Sequence, residues 1–297
     1  MIDMAKKIGW IGTGVMGKSM CSHIMDAGHE VYVYNRTKSK ADGLIKNGAV
    51  WCDNSKIVAE KSDIIFTIVG FPKDVEQVYL GNDGILTGVS EGNIIIDMTT
   101  SNPSLAEKIF NKAKQLGVSS LDAPVSGGDT GAKNGSLAIM VGGEHDTYDK
   151  IFPLFDLMGK NIKLLGPAGS GQHCKMSNQI HIATTMIGVV ESMLYAYKAG
   201  LDLDEMIDVI GKGAAASWSI NNLGRRIVKG NFDPGFFIKH FVKDMRIALE
   251  EAKRMNLSLP GLALAYQFYI AAMAQDLENL GTQGLYKVFA SMNGIET

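Results

Sequence analysis

Residues 6–17, which read KKIGWIGTGVMG, decide the fold. Residues 6–11 have the character of a short buried strand, and a helical pattern begins directly afterwards at residue 15. Gly12, Gly14 and Gly17 lie at the junction in the spacing GxGxxG. Between a strand and a helix, this spacing provides a tight turn, room for a pyrophosphate and close helix–strand packing. The alternative is a glycine-rich turn that binds no ligand.

The strand before the loop and the helix after it favour dinucleotide binding. The diphosphate is expected at the helix N-terminus, where free N–H groups and the helix dipole favour negative charge. The predicted cofactor contacts in this loop come from Gly12, Thr13, Gly14, Val15, Met16 and Gly17.

Up to residue 166 the sequence alternates between strand and helix patterns. Helices are predicted between the apolar runs, for example at residues 15–27 and 103–117. This alternation is typical of βαβ units and predicts an α/β fold with a Rossmann-type, doubly wound sheet. The predicted strands are residues 6–11, 30–34, 63–69, 93–97, 119–121, 136–141 and 162–165.

Beyond residue 166 the pattern becomes helical. Residues 171–200 form one long, mostly apolar stretch without proline, and no convincing strand follows. We predict an NAD(P)-binding Rossmann domain at residues 1–166. An all-α substrate and dimerisation domain, including the long connecting helix, is predicted at residues 167–297. Its further helices are predicted at residues 202–212, 219–229, 239–255 and 260–279.

Composition argues against several classes of protein. The chain has 29 Lys and Arg against 31 Asp and Glu. It therefore lacks the excess of positive charge that is typical of proteins that bind nucleic acid or an anionic membrane. The longest apolar run, residues 180–190, is too short to span a membrane. Cys21, Cys52 and Cys174 are widely spaced, which favours a reducing compartment. No ligand cluster suggests a metal. We expect a cytoplasmic protein without a metal site.

The end of the second strand decides which dinucleotide binds. An NAD site has Asp or Glu there for the ribose 2′-hydroxyl, whereas an NADP site has a basic residue for the 2′-phosphate. This chain has Asn35, Arg36 and Thr37, so no carboxylate repels the phosphate and Arg36 can pair with it. The turn favours NADP(H), with NAD(H) as the second choice. The alternative is a solvated turn in which Arg36 is merely exposed.

The segment DAPVSGG at residues 122–128 is a polar, glycine-rich loop after a strand. Consecutive backbone N–H groups at Ser126, Gly127 and Gly128, together with the Ser126 hydroxyl, can bind a carboxylate. Taken alone, the segment is better explained as a structural turn.

A lysine one turn into the long apolar helix is the candidate proton-transfer residue. Lys175 shares a helix face with Asn178 and Gln179 at positions i+3 and i+4. Burial lowers the pKa of a lysine and suits it to proton transfer near neutral pH, and Asn178 can bind the same substrate oxygen. His173 and His181 are better explained by packing or exposure than by metal binding.

Five motifs, in order over nearly the whole chain, resemble the β-hydroxyacid dehydrogenase family. That family includes 3-hydroxyisobutyrate dehydrogenases and the tartronate and succinic semialdehyde reductases. The motifs are GTGVMG at 12–17, DMTT at 97–100, DAPVSGG at 122–128, GSGQHCKMSNQ at 169–179 and KHFVKDMRIALEEA at 239–252.

The resemblance implies that Lys175 is the catalytic lysine and that residues 126–128 bind the substrate carboxylate. Many members have Asn four residues after the lysine, where this chain has Gln179, as in the tartronate branch. That departure concerns substrate class. The resemblance also implies a homo-oligomer. The same resemblance implies further site residues. The cofactor contacts are Val69, Gly70, Thr100 and Lys243, and the substrate contacts are Phe236 and Asp244.

These features predict hydride transfer between a nicotinamide and a small 3-hydroxy acid or its semialdehyde, with Lys175 as general acid and base. The NADP-type turn favours aldehyde reduction. A non-catalytic NADP-binding scaffold or sensor, or an imine reductase-like enzyme, is the alternative, and the intact Lys175 argues against both. A 6-phosphogluconate-type enzyme is disfavoured by the run after the lysine. Ser217, Trp218 and Asn222 either shape the pocket or pack in the helical domain.

Overall fold

The computed structural model describes residues 6–296, and two compact units divide between Lys175 and Met176. The division falls inside the longest helix, Ser170–Lys198. Up to Lys175 the chain is a mixed α/β unit. Beyond it the described residues are helical, apart from one isolated bridge between Phe237 and Gly281. The domain boundary at residue 166 stays a prediction.

The first unit contains nine strands among its described residues. They are β1 (Lys7–Ile11), β2 (Glu30–Tyr34), β3 (Val50–Trp51), β4 (Ile64–Thr67), β5 (Ile94–Asp97), β6 (Ser119–Asp122), β7 (Val125–Ser126), β8 (Leu137–Gly143) and β9 (Gly159–Leu164). The order along the sheet is β3-β2-β1-β4-β5-β6-β8-β7, with β9 paired to β8.

The first six strands of that order are parallel, and β8 runs antiparallel to β6 and β7. The order β3-β2-β1-β4-β5-β6 is that of the doubly wound dinucleotide-binding fold, which confirms the predicted fold class. The carboxyl ends of β1, β4, β5 and β6 meet at one edge of such a sheet. The loops that carry the predicted cofactor and carboxylate residues therefore begin at this edge.

Alternate side chains of the central strands enter two separate cores, one on each face of the sheet. Trp10 and Phe66 lie in one core with their ring centroids 5.4 Å apart, and Phe155 packs edge-on against Phe66 at 6.3 Å. Their chain neighbours Ile11 and Ile65 lie in the other core. Successive side chains of a strand point to opposite faces, so both faces of this sheet are covered.

The helices of the first unit connect and cover these strands. They are α1 (Val15–Asp26), α2 (Asp42–Lys46), α3 (Ser55–Glu60), α4 (Pro72–Leu80), α5 (Pro103–Gln115), α6 (Gly128–Lys133), α7 (His145–Asp156) and the first part of α8 (Ser170–Lys198), with 3₁₀ turns at Lys38–Ala41 and Ile85–Thr87.

The second unit packs helices around its own core. Phe241 and Tyr269 meet edge-on at 5.0 Å in that core, and the buried Tyr269 hydroxyl donates to the carbonyl oxygen of Thr282 at 2.8 Å. The elements after α8 are α9 (Leu203–Ile210), a π-helix (Ser219–Gly224), α10 (Arg225–Val228), α11 (Ile238–Arg254), α12 (Pro260–Ala274), a 3₁₀ turn (Thr282–Gly284) and α13 (Leu285–Met292).

Two predicted helices differ from the structure. Residues 219–229 form a π-helix followed by one short α-helical turn, and the amide of Asn221 there donates to the carbonyl oxygen of Gly211 at 3.0 Å. The helix predicted at 260–279 ends at Ala274, because Asp276 adopts the left-handed conformation with φ 57°. Sequence patterns also missed α13 and the two-residue strands β3 and β7.

The contact between α1 and the end of β1 yields a stability prediction. A Cβ atom on Gly17 would lie 2.0 Å from the carbonyl oxygen of Gly12 and 2.8 Å from Cγ2 of Ile68. We expect Gly17→Ala to lower the free energy of unfolding by roughly 1–3 kcal/mol through overpacking. Chemical denaturation without cofactor measures it. Gly14→Ala is the matched control, since no atom lies within 4 Å of its Cβ position. Equal stability of the two variants would contradict the packing argument.

Candidate functional site

The glycine loop has the geometry of a phosphate cradle. Gly12 has φ 98°, and a Cβ atom there would lie 2.1 Å from the carbonyl oxygen of Ile68, so only glycine fits the turn. Gly14 precedes α1 with open space on its Cβ side, and Val15 in the first turn of α1 is 65% exposed. The helix N-terminus is therefore accessible. These features fit a dinucleotide diphosphate bound against the first N–H groups of α1.

Asn35 at the end of β2 connects this loop to the predicted adenosine site. Its side-chain oxygen accepts from the N–H of Thr13 at 3.0 Å, and its amide donates to the carbonyl oxygen of Thr37 at 2.8 Å. Thr13 is 2% exposed, and Met16 is half-buried on the first turn of α1. Asn35 therefore orients both the loop and the turn that follows β2.

Arg36 is 83% exposed and forms an ion pair with Asp74 at 3.1 Å. The other oxygen of Asp74 accepts from the N–H of Phe71 at the start of α4. Asp74 lies 38 residues from Arg36 in the chain, so the pairing has no local signal in the sequence. The pair is worth little in water, so Arg36 is free to turn toward a phosphate.

The loops after β4 and β5 are joined by a hydrogen bond. The N–H of Val69 donates to Oγ1 of the buried Thr99 at 2.9 Å. Val69 and Gly70 are half-buried, and so is Thr100, which follows Thr99. The structure therefore places three of the predicted cofactor residues on two connected loops.

Asp97 ends β5 as a buried carboxylate held by hydrogen bonds. Its Oδ1 accepts from the Thr67 hydroxyl at 2.9 Å and from the N–H of Thr99 at 3.0 Å, and Thr67 also contacts the Tyr79 hydroxyl at 2.9 Å. Burial raises the pKa of Asp97 to about 6, against the opposing effect of these hydrogen bonds. The charge of Asp122 raises it further.

Asp122 ends the neighbouring strand β6 in the same way. It is 3% exposed; Oδ1 accepts from the N–H of Gly169 at 2.7 Å and Oδ2 from the N–H of Gln172 at 2.8 Å. Burial raises the pKa of this carboxyl, while these backbone donors lower it. The fully buried Gln172 side chain accepts from the N–H of Ser101 at 2.9 Å and donates to the carbonyl oxygen of Thr99 at 2.7 Å.

The predicted carboxylate loop leaves β7 and enters α6. Ser126 is half-buried, and Gly127 and Gly128 have φ values of 133° and 63°. A residue with a side chain would be strained at either glycine. The loop therefore holds a backbone conformation that leaves the Gly127 main chain exposed.

Lys175 lies on α8 and is 6% exposed. A lysine this strongly buried is unusual, because lysine side chains are almost never fully buried unless they are paired. His173 is half-buried and His181 is exposed.

Four predicted residues of the second unit form one chain of contacts. The amide of Asn178 donates to the side-chain oxygen of Gln179 at 2.7 Å, and Gln179 donates to Oδ2 of Asp244 at 2.6 Å. The ammonium of Lys243 lies 2.9 Å from Oδ1 of Asp244. Gln179, Lys243 and Asp244 are all buried. The structure brings these four residues, which were predicted separately as substrate or cofactor contacts, into direct contact.

Phe236 is 36% exposed and packs against α11 in the second unit. Its ring stacks on His240 at 6.4 Å and meets Phe241 edge-on at 5.9 Å. Burial is the main cause that lowers the pKa of His240.

Trp218 is 69% exposed, and its carbonyl oxygen accepts from the amide of Asn222 at 2.9 Å. Ser217 accepts from a backbone N–H of the π-helix.

Sequence reasoning missed the residues that hold the loops in place. Asp97 and Asp122 lie inside quoted motifs but were not selected, and Gln172 lies three residues before Lys175. A signal existed, because a carboxylate that ends a buried strand needs hydrogen-bond donors. Their partners lie up to 73 residues away in the chain, however, so the pairing was not visible.

None of the helices within residues 6–296 has the length and apolar character needed to cross a membrane. In the same range, no group of three or more His, Cys, Asp or Glu side chains is placed to hold a metal ion.

Two family models match the chain. The model for the NAD-binding domain of 6-phosphogluconate dehydrogenase matches residues 7–166. The model for the NAD-binding region of NADP-dependent 3-hydroxyisobutyrate dehydrogenase matches residues 169–289. Together they cover nearly the whole chain.

Individual proteins are similar over most or nearly all of their length. The chain is 56% identical to the uncharacterized oxidoreductase YkwC of Bacillus subtilis, over 96% of this chain and 99% of that protein. It is 52% identical to the probable 3-hydroxyisobutyrate dehydrogenase-like 1, mitochondrial, of Arabidopsis thaliana, over 97% and 86%. The structure of Mycobacterium tuberculosis 3-hydroxyisobutyrate dehydrogenase with L-serine superposes with a TM-score of 0.89 and 26% identity, over 96% and 99%.

Asp97 yields a prediction on pH. Its pKa is raised from 3.8 to about 6, so the folded protein holds a proton that the unfolded chain has already released between these values. Asp97 therefore favours folding most at low pH, and this contribution falls as pH rises from about 4 to 6. Relative to Asp97→Asn, which cannot ionise, wild-type stability should fall by about 2–3 kcal/mol over that range.

Urea denaturation of both proteins from pH 4 to pH 8 measures this difference. The comparison with the isosteric variant removes the contributions of other titrating groups. A difference that stays constant, or that grows as pH rises, would contradict the raised pKa of Asp97.

Proposed function

The chain belongs to the β-hydroxyacid dehydrogenase family, and on that premise we propose that it transfers a hydride between the nicotinamide of NADP(H) and a small 3-hydroxy acid or its semialdehyde. As a member of that family it is an NAD(P)-dependent oxidoreductase.

The observation that carries the proposal is the buried Lys175. At 6% exposure Lys175 is largely removed from solvent, and an amine in such a place is suited to exchange a proton with a substrate oxygen. In aldehyde reduction Lys175 gives a proton to the oxygen that becomes the hydroxyl, and in the reverse direction it takes that proton. The nicotinamide supplies the hydride or accepts it.

The substrate carboxylate is assigned to Ser126, Gly127 and Gly128. Backbone N–H groups and a hydroxyl can bind an anion there without a buried positive charge. Asn178 is assigned to the substrate oxygen or carboxylate, and Gln179 and Asp244 orient Asn178 through the contacts described above. These groups would align the substrate with the nicotinamide and with Lys175.

The cofactor would be held along the carboxyl edge of the sheet. Residues 12–17 would bind the diphosphate, Val69 and Gly70 would line the adenosine ribose, and Thr100 would lie near the nicotinamide. Lys243 is proposed as a further cofactor contact. Arg36, with Asn35 and Thr37, is proposed to recognise the 2′-phosphate of NADP(H), because an exposed guanidinium can pair with a phosphate.

The turnover of a lysine variant tests the function. We expect Lys175→Ala to lower kcat by about 10²–10⁴-fold, the usual contribution of a general acid or base, while NADPH binding stays close to normal. Lys175→Arg should restore little activity, because guanidinium stays protonated. NADPH oxidation with a panel of semialdehydes is the assay.

Lys198→Ala is the matched control, since Lys198 is an exposed lysine near the end of the same helix. It should leave kcat unchanged. Near-normal turnover in folded Lys175→Ala protein would refute the assignment and would favour a non-catalytic NADP-binding role.

Arg36→Ala tests the cofactor assignment. Loss of a charged hydrogen bond to the 2′-phosphate should lower kcat/KM for NADPH. The corresponding loss of transition-state stabilisation is roughly 1–3 kcal/mol. NADH has no 2′-phosphate, so kcat/KM for NADH in the same variant is the internal control and should not change. Equal losses with both cofactors, or a wild-type protein that prefers NADH, would rule out this role for Arg36.

A further inference from the structure

Gln172 connects the first turn of α8 to the loop after β5. Its side-chain oxygen accepts from the N–H of Ser101 at 2.9 Å, and its side-chain nitrogen donates to the carbonyl oxygen of Thr99 at 2.7 Å. One side chain therefore binds the peptide groups on both sides of Thr100. Gln172 is fully buried, so neither backbone group can turn to water instead.

Asp122 connects the same helical turn to the end of β6. Its two oxygens accept from the N–H groups of Gly169 and Gln172 at 2.7 and 2.8 Å. The N–H groups at a helix start lack partners within the helix, and a negative charge there is favoured by the helix dipole. Asp122 is also the first residue of the segment that leads to Ser126 and Gly127.

The first turn of α8 packs tightly against the ends of β6 and β8. A Cβ atom at Gly171 would lie 2.3 Å from the carbonyl oxygen of Met140 and 2.8 Å from Oδ2 of Asp122. A Cβ atom at Gly142 would lie 2.5 Å from Oδ1 of Asp122. Backbone therefore packs directly on backbone, and the helical turn cannot shift without breaking the buried hydrogen bonds.

From these contacts we infer that Gln172 and Asp122 are positioning residues for Lys175. They fix the turn that carries Lys175 relative to Thr100 on one loop and to Ser126 on another. The inference rests on the proposed function, because it assigns these contacts to the alignment of the proton-transfer lysine. Every residue in it belongs to the unit that ends at Lys175.

Glutamine is suited to this position because it offers one donor and one acceptor at the right reach. Methionine has a similar shape and makes neither bond. An ionised glutamate can accept from Ser101 but cannot donate to the carbonyl oxygen of Thr99, whereas a protonated glutamate can do both. The three side chains therefore differ in hydrogen bonding more than in volume.

The first experiment compares Gln172→Met and Gln172→Glu in the full-length protein. We expect kcat of Gln172→Met to fall by about 10- to 100-fold, since a small misplacement of a reacting group has this effect. NADPH affinity, measured by fluorescence titration, should stay normal because the residues proposed for the diphosphate and 2′-phosphate are untouched. The kcat of Gln172→Glu relative to wild type should rise as pH falls, whereas that of Gln172→Met should not.

A double-mutant cycle with Lys175→Ala decides whether Gln172 acts through the lysine. In the Lys175→Ala background, Gln172→Met should lower kcat no further, within about twofold. Gln283→Met is the matched control: Gln283 is another buried glutamine, and it donates to the carbonyl oxygens of Asn231 and Asp233. Any effect of Gln283→Met on kcat should add to that of Lys175→Ala.

The outcomes separate the inference from the function on which it rests. If Lys175→Ala is impaired and the effect of Gln172→Met adds to it in full, the positioning role is wrong and the proposed function stands. If Lys175→Ala turns over normally, both are wrong. If Gln172→Met loses thermal stability but Gln172→Glu shows no recovery of kcat at low pH, the contacts are structural only and the inference is overturned.

Discussion

The arrangement of the first unit depends on hydrogen bonds that two buried carboxylates accept from the backbone. Asp97 and Asp122 end neighbouring parallel strands, and both are almost fully buried. Burying a carboxylate without partners is very costly, so each requires donors nearby. Asp97 takes the N–H of Thr99, and Asp122 takes two N–H groups at the start of α8. The same bonds that make the charges tolerable also fix the loops in place.

This requirement explains why the candidate residues lie on loops and yet are held firmly. Loops are usually more mobile than the strands that they leave. Here the loop after β5 is held by three hydrogen bonds. Asp97 accepts from the N–H of Thr99, and the Thr99 hydroxyl accepts from the N–H of Val69. Gln172 on α8 accepts from the N–H of Ser101. Proton transfer needs donor and acceptor within hydrogen-bond distance. A network of this kind supplies that precision, whereas a loop held by exposed contacts would not.

The parts of the fold with local signals were predictable from the sequence. Residues 30–34 alternate apolar and polar side chains and form β2 with the expected bounds, and the glycine spacing indicated the strand–turn–helix at residue 12. The two-residue strand β3 and the π-helix have no such signal. β3 depends on its pairing with β2, and Asn221 in the π-helix bonds to Gly211, so neither form is determined by its own residues alone. The roles of Asp122 and Gln172 were missed for the same reason, since their partners are 47 to 73 residues distant.

The contacts in the second unit bear on the departure from the family pattern after Lys175. Both ends of the Gln179 amide are used by protein groups, since its nitrogen donates to Asp244 and its oxygen accepts from Asn178. A glutamine so engaged orients its neighbours. Asn178 is then the amide assigned to the substrate, and Asp244, balanced by Lys243, is the anchor. In the proposed site Gln179 does not itself contact the substrate. It supports Asn178, which does. Under the proposed function, the departure therefore concerns which substrate is recognised and leaves the role assigned to Lys175 unchanged.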